Sequence, residues 1–137
     1  MYTTDVLKKR MIDGAYDAEL TRLYPAGTID AQRKRYCRVI GEFEEFYGEG
    51  REAGLFSAPG RTEIGGNHTD HNHGRVLAAS VNLDAIAVAA KSEGTVVNVK
   101  SEGYAMDTVD ISDLKPHEKE FGKSRALVRG VCSVSYT

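Results

Sequence analysis

Between residues 30 and 47 the apolar positions Tyr36, Val39, Ile40, Phe43 and Tyr47 recur at the three- and four-residue spacing of one buried helix face. Lys34, Arg35, Arg38, Glu42 and Glu45 fill the opposite face. Asp30 suits an N-cap and Gly48 suits a stop, so the spacing predicts a helix over 30–47. The residues before Pro25 predict one or two short helices. The aromatic positions of the long helix are expected to face a core.

The pattern changes after Gly54. Leu55 to Ala58 is a short apolar run that Pro59-Gly60 is expected to end as a turn. A glycine-rich polar stretch follows, from Arg61 to Gly74. From Val76 to Ala90 the chain reads as a strand, with Val81, Leu83, Ala85, Ala87 and Ala89 alternating with Asn82, Asp84, Ile86, Val88 and Ala90. Its second half is apolar on both faces, which predicts a central, covered strand. Turns at Ser92-Glu93-Gly94 and Glu102-Gly103 bracket a strand over 95–101, and Asp107, Val109 and Ile111 share one face of the next. Three strands joined by short turns predict an antiparallel meander. Lys115-Pro116 breaks the pattern, and a last helix is expected over about 122–136. Its apolar side is Ala126, Leu127, Val131 and Val134, with Gly130 as a weak point. The fold class is α+β: N-terminal helices, then a mainly antiparallel sheet with a packed helix.

A chain of 137 residues can bury a real core as one domain. Apolar residues at 41% and charged residues at 28% suit a globular chain rather than a disordered one. Lys plus Arg is 18 against 20 for Asp plus Glu, a formal charge of -2, so no electrostatic footprint for nucleic acid exists. No apolar run approaches the roughly 18–20 residues of a membrane span. The N-terminus lacks the apolar core of a signal peptide. A cytoplasmic chain is expected, with Cys37 and Cys132 as reduced thiols.

The unusual chemistry lies in Ala58-Pro59-Gly60-Arg61-Thr62-Glu63-Ile64-Gly65-Gly66-Asn67-His68-Thr69-Asp70-His71-Asn72-His73-Gly74. Glycines allow sharp turns and close approach of a ligand. Arg61 supplies a permanently charged fork of donors. Asp70 is a carboxylate able to accept two hydroxyl protons, and Asn67, His68 and Thr69 add mixed donors and acceptors. Such a set suits a polyol, whose adjacent hydroxyls need paired acceptors.

This string resembles the galactokinase signature of the GHMP kinase superfamily, a Gly-Arg pair, a spacer and a Gly-Glu-His-Thr-Asp core before a Gly and an apolar strand. Gly60, Arg61, Gly66, His68, Thr69, Asp70, Asn72, Gly74, Val76 and Leu77 match at fixed spacing, with Ala58-Pro59 ahead of them. Val128, Arg129, Gly130 and Val131 look like the family's helix before its phosphate loop. The resemblance implies the first part of a GHMP kinase N-terminal domain, with the sugar motif at 58–77. It implies a galactose-class sugar as ligand and ATP-dependent phosphorylation at the C1 hydroxyl. Arg61 would stabilise negative charge beside that hydroxyl in the transition state. Asn67, His68, Thr69 and Asp70 would bind or shape the site for the sugar. Asn67 stands where the family has Glu, which bears on the choice of sugar. Ser124 and Leu127 stand where the family often has aromatic residues near adenine.

The family's second motif, a Pro followed by Gly-Leu-Ser-Ser-Ser, has no match here, nor has its catalytic Asp. Asp107, Asp110 and Asp113 read as strand and turn residues rather than as replacements. ATP and Mg²⁺ are therefore expected for the complete kinase, with their main ligands outside this sequence. The sequence reads as a single, truncated N-terminal part, inactive alone, with an exposed sheet edge prone to self-association. Two rival readings are a non-catalytic sugar-binding or regulatory fragment and a metal site built from His68, Asp70, His71 and His73. The second is disfavoured because His71 and His73 read as surface loop residues, and no metal is expected.

Overall fold

A computed structural model describes residues 1–66 and 69–135, with Asp70 described by its backbone alone. The architecture is α+β, helices and antiparallel sheets, in two compact units, Met1–Ala90 and Lys91–Thr137.

In the first unit, β1 (Tyr2–Thr3) leads into α1 (Thr4–Ile12), α2 (Asp17–Leu23) and α3 (Ile29–Tyr47). β2 (Glu52–Gly65) and β3 (Leu77–Ala90) then form a long antiparallel hairpin, in sheet order β1-β2-β3. The helical period of α3 buries Tyr36, Ile40 and Phe43, as the spacing predicts. Leu7 of α1, Ile40 and Ala53 form one buried group, against which Leu55, Val88 and Ala90 pack. Met11, Leu20, Tyr24 and Tyr36 form a second, against Ile29, Leu55 and Ile86. The helices thus cover one face of the hairpin. Lys8 of α1 pairs with Glu44 of α3 beside this core.

Several expectations need correction. The chain enters α3 at Ile29, and no side chain caps it. Asp30 lies in the first turn, 3.5 Å from Arg33. Pro59-Gly60 does not end the strand, because β2 continues to Gly65. Proline lacks an N–H, but β2 is paired to β1 only at Glu52 and Ala53, so Pro59 lies where its far side is a sheet edge. β3 is not a covered central strand. Asp84, Ile86, Val88 and Ala90 turn toward the helices, while the opposite face leaves Leu83 76% and Phe56 56% exposed.

In the second unit, β4 (Val96–Val99) pairs antiparallel with β5 (Asp107–Asp110), Val97 opposite Val109. These strands form their own two-stranded sheet, so the expected meander with β3 does not form. The turn between the sheets is closed locally, where the Ser92 hydroxyl donates to the Val96 carbonyl at 2.9 Å. α4 (Ser124–Ser135) follows. Its expected apolar side is not its buried one, since Leu127, Val131 and Val134 are exposed. Arg129 is buried instead. Its guanidinium forks onto both oxygens of Glu120 at 2.9 Å and donates to the carbonyls of Asp110, at 2.7 Å, and Asp113. That grip turns the Arg129 side of α4 toward β5. The Arg129 bonds also hold the Glu120 carboxyl below its ordinary pKa, against the desolvation that raises it. No helix among the described residues is long and apolar enough to cross a membrane.

Ile40 has no exposed surface and joins α1, α3 and β2. Ile40→Ala is expected to cost about 2–5 kcal/mol, the usual range for emptying such a site. Denaturant unfolding followed by circular dichroism should show a lower midpoint with an unchanged slope.

Candidate functional site

The polar motif occupies the far end of the β2–β3 hairpin. Arg61, expected in a loop, is a strand residue paired with Ser80, and its neighbours Thr62 and Glu63 pair with Ala79 and Ala78. Its side chain is 67% exposed and stands 3.6 Å from the Glu63 carboxylate. An exposed pair at that distance leaves the guanidinium largely solvated and free to meet an anionic or hydroxylic ligand.

The connection is shorter than the sequence suggests. Gly66 takes a φ of 101°, and a Cβ there would collide with the Arg75 carbonyl and the Val76 backbone. Only glycine lets the outgoing and returning chains pass so closely. Beyond it Thr69 organises the turn through its backbone. The Thr69 N–H donates to the Gly66 carbonyl at 3.1 Å, and the Thr69 carbonyl accepts from the N–H groups of Asn72 and Gly74 at 3.0 and 2.7 Å. A short 3-10 turn over Asp70–Asn72 follows. His71 and His73 are exposed, with His73 at a φ of 60°. Asn67, His68 and the Asp70 side chain lie outside the described residues, and with them most of the sugar-binding and metal-site expectations. Among the described residues no three His, Cys, Asp or Glu side chains are gathered to hold a metal ion.

The hairpin is irregular where the motif begins. Pro59 opposes Asp84, and Arg61 opposes Ser80, so two steps along β2 match four along β3. The extra residues of β3 arch over Gly60. A Cβ at Gly60 would stand 2.9 Å from the Leu83 carbonyl and 3.1 Å from a Val81 methyl. Bulges of this kind bend a strand and re-aim the side chains beside it.

Asp84 closes the base of that bulge, and its role was not read from the sequence. Its side chain is 6% exposed. Arg35 of α3 donates to Asp84 Oδ1 at 2.6 Å and to the Asp84 carbonyl at 2.8 Å. The Ser57 hydroxyl donates to Oδ2 at 2.6 Å, and Tyr24 donates to the same oxygen. With the Tyr24 proton so used, Tyr36 is the donor in the 3.1 Å contact between the two phenols. Burial pushes the Asp84 carboxyl up, but the bonds from Ser57, Tyr24 and Arg35 together outweigh it, and the group sits below its ordinary pKa. Burial first, and then the bond to Asp84, drive the Tyr24 phenol upward. The available signal was parity. Asp84 shares a strand face with Ile86, Val88 and Ala90, so an acid there needs a cation from the covering helix.

The match to a family model falls on this same hairpin. Residues 41–91 match the family model described as the galactokinase galactose-binding signature, which spans the end of α3, β2, the turn and β3. A galactokinase of Lactococcus lactis is 34% identical over 82 residues, covering 60% of this chain and 21% of that relative. A galactokinase of Streptomyces coelicolor is 34% identical over 81 residues, 57% of this chain and 21% of its own length. One of Clostridium tetani is 33% identical over 82 residues, 59% and 20%. No solved structure matches. The chain thus carries a segment similar to the galactose-binding signature of galactokinases. It spans about a fifth of the length of the curated galactokinases it matches.

A carboxyl held below its unfolded pKa binds fewer protons in the folded state, so it contributes stability that rises with pH through that window. The Asp84 contribution should be complete above the ordinary aspartate value of about 3.9 and drain away as pH falls through its lower folded value. Thermal melts of the wild type and Asp84→Asn should converge as pH drops below about 4 and keep a constant separation above it. A difference that does not shrink at low pH would show that the carboxyl is not held low.

Proposed function

We propose that this chain binds galactose, or a sugar of the same class, through the 58–77 segment. That segment would serve as the sugar-recognition part of an enzyme that phosphorylates galactose at its C1 hydroxyl. The observation that carries the reading is the coincidence of the galactose-binding signature with the hairpin that holds Arg61 exposed beside the Gly66–Gly74 turn. In this reading Arg61 stabilises the charge that develops at the C1 oxygen. Asp70 accepts protons from ring hydroxyls, and Asn67 and His68 complete the set. Thr69 shapes the turn through its backbone. With an amide at position 67 in place of a carboxylate, the sugar hydroxyl there would meet both donors and acceptors.

ATP and Mg²⁺ would serve the whole enzyme as phosphoryl donor and charge-neutralising ion. The roles proposed for this segment concern the sugar. The α+β arrangement would correspond to the first part of a GHMP kinase N-terminal domain. The free edge of β3 would be the place for self-association.

Calorimetric titration of the purified chain with galactose, using glucose as the epimeric control, tests the reading. Galactose is expected to release heat with a measurable Kd, and Asp70→Ala is expected to weaken it at least about tenfold, as for loss of a charged hydrogen-bond partner. A well-folded chain that binds neither sugar, or an Asp70→Ala variant that binds as well as wild type, would sink the proposal.

A further inference from the structure

A buried, heavily bonded polar side chain of the hairpin lies outside the motif that reads as the sugar site. Asp84 takes hydrogen bonds from three elements: Tyr24 at the end of α2, Arg35 on α3 and Ser57 on β2. Arg35 also holds the Asp84 main-chain carbonyl, so the grip fixes the backbone as well as the carboxylate. Asp84 is the residue from which β3 departs into its bulge, opposite Pro59. Arg61 is two residues beyond Pro59 on β2, across the irregularity in the pairing.

These placements form one mechanical path. α3 is anchored in the core by Tyr36 and Ile40, and Arg35 is the neighbour of Tyr36. Arg35 carries that anchorage to Asp84. Asp84 pins the start of an arch that passes so close to Gly60 that a Cβ there would stand 2.9 Å from the Leu83 carbonyl. Gly60 immediately precedes Arg61. The Asp84 side chain is 6% exposed, whereas Arg61 itself is 67% exposed.

We propose that Asp84, held by Arg35, is a positioning residue that sets the direction of Arg61 through the β3 bulge. The proposal rests on the sugar-site reading for its functional meaning and on the hairpin geometry for its structural content. A guanidinium that must meet one oxygen of a bound sugar tolerates little displacement, since a shift of about 1 Å at a reacting centre can cost on the order of a hundredfold. Nothing in Asp84 touches the ligand; its effect is exerted through Gly60.

The test uses the ¹⁵N-labelled chain, with Asp84→Asn against Leu7→Val, a core change in a different part of the sheet cover. Asp84→Asn is expected to move the amide resonances of Gly60 and Arg61 and the Arg61 Nε–Hε resonance, while those of Ala53 and Leu55 stay in place. It is also expected to weaken galactose binding by about tenfold, whereas Leu7→Val leaves the affinity within about twofold. The double change Asp84→Asn with Arg35→Gln, which removes the unpaired charge, should recover stability without recovering the Arg61 resonance. Unmoved Gly60 and Arg61 resonances in folded Asp84→Asn would overturn the proposal, as would an equal loss of affinity in Leu7→Val. If the wild-type chain binds no galactose, the sugar reading fails, and the resonances still decide whether Asp84 positions Arg61. Should Asp84→Asn not fold, Tyr24→Phe removes one bond to the same carboxylate and is expected to give a smaller shift at the same two amides. Its absence would count against the proposal.

Discussion

A carboxylate placed on the helix-covered face of a sheet has to be paired, and much of the first unit is arranged around that requirement. Asp84 is 6% exposed, among residues that otherwise pack apolar side chains against the helices. Leaving it unpaired would cost several kcal/mol, more than the margin of a small domain can spare. The covering helix therefore has to present a cation at that height, and Arg35 does so one residue before the core anchor Tyr36. Replacing the whole pair by apolar residues would be as stable or better on general grounds. Its value is in specification. β3 is rich in alanine at positions 85, 87, 89 and 90, and small identical side chains discriminate poorly between registers. A single acid that must meet Arg35, Ser57 and Tyr24 together removes that ambiguity.

The same comparison of charge with bulk explains the second unit. α4 has a clear apolar stripe in Leu127, Val131 and Val134, yet it is the Arg129 side that packs on β5. Four hydrogen bonds to one guanidinium, two of them to a carboxylate and two to carbonyls, fix an orientation that the small two-stranded sheet is too narrow to fix by apolar area. In both units an arginine on a helix is bonded to a strand through charged and carbonyl oxygens.

Legibility followed the same division. The period of α3 was plain because Tyr36, Ile40 and Phe43 repeat over several turns, and the α+β class followed from the switch to alternation after Gly54. The resemblance carried by 58–77 was legible because it depends on residue identity at fixed spacing, and the family match over 41–91 encloses it. What failed to show was pairing. Pro59-Gly60 has the local chemistry of a turn, but an edge position for proline and a bulge over glycine keep it in a strand. Arg35 read as one more solvent-face charge, because nothing local tells a helix which of its arginines faces an acid 49 positions away. The alternation of β3 gave its two faces correctly but not which of them is covered, since alanine fits either.

The motif is mechanically of two kinds, and the proposed chemistry needs both. Arg61 lies in a paired strand at the foot of a bulge, and Asp84 on the other side of that bulge is held by Arg35 of α3. Thr69 and the start of the Asp70–Asn72 turn are held by a few backbone bonds around one carbonyl. A group that stabilises charge at one reacting oxygen gains from fixity, because it then loses little to reorganisation when the charge appears. On the proposed reading, Thr69 and the turn after it shape the sugar site rather than stabilise charge. The Asp84 grip falls on the first group and leaves the second alone. On the proposed reading, the fold fixes the one contact whose error would be most expensive.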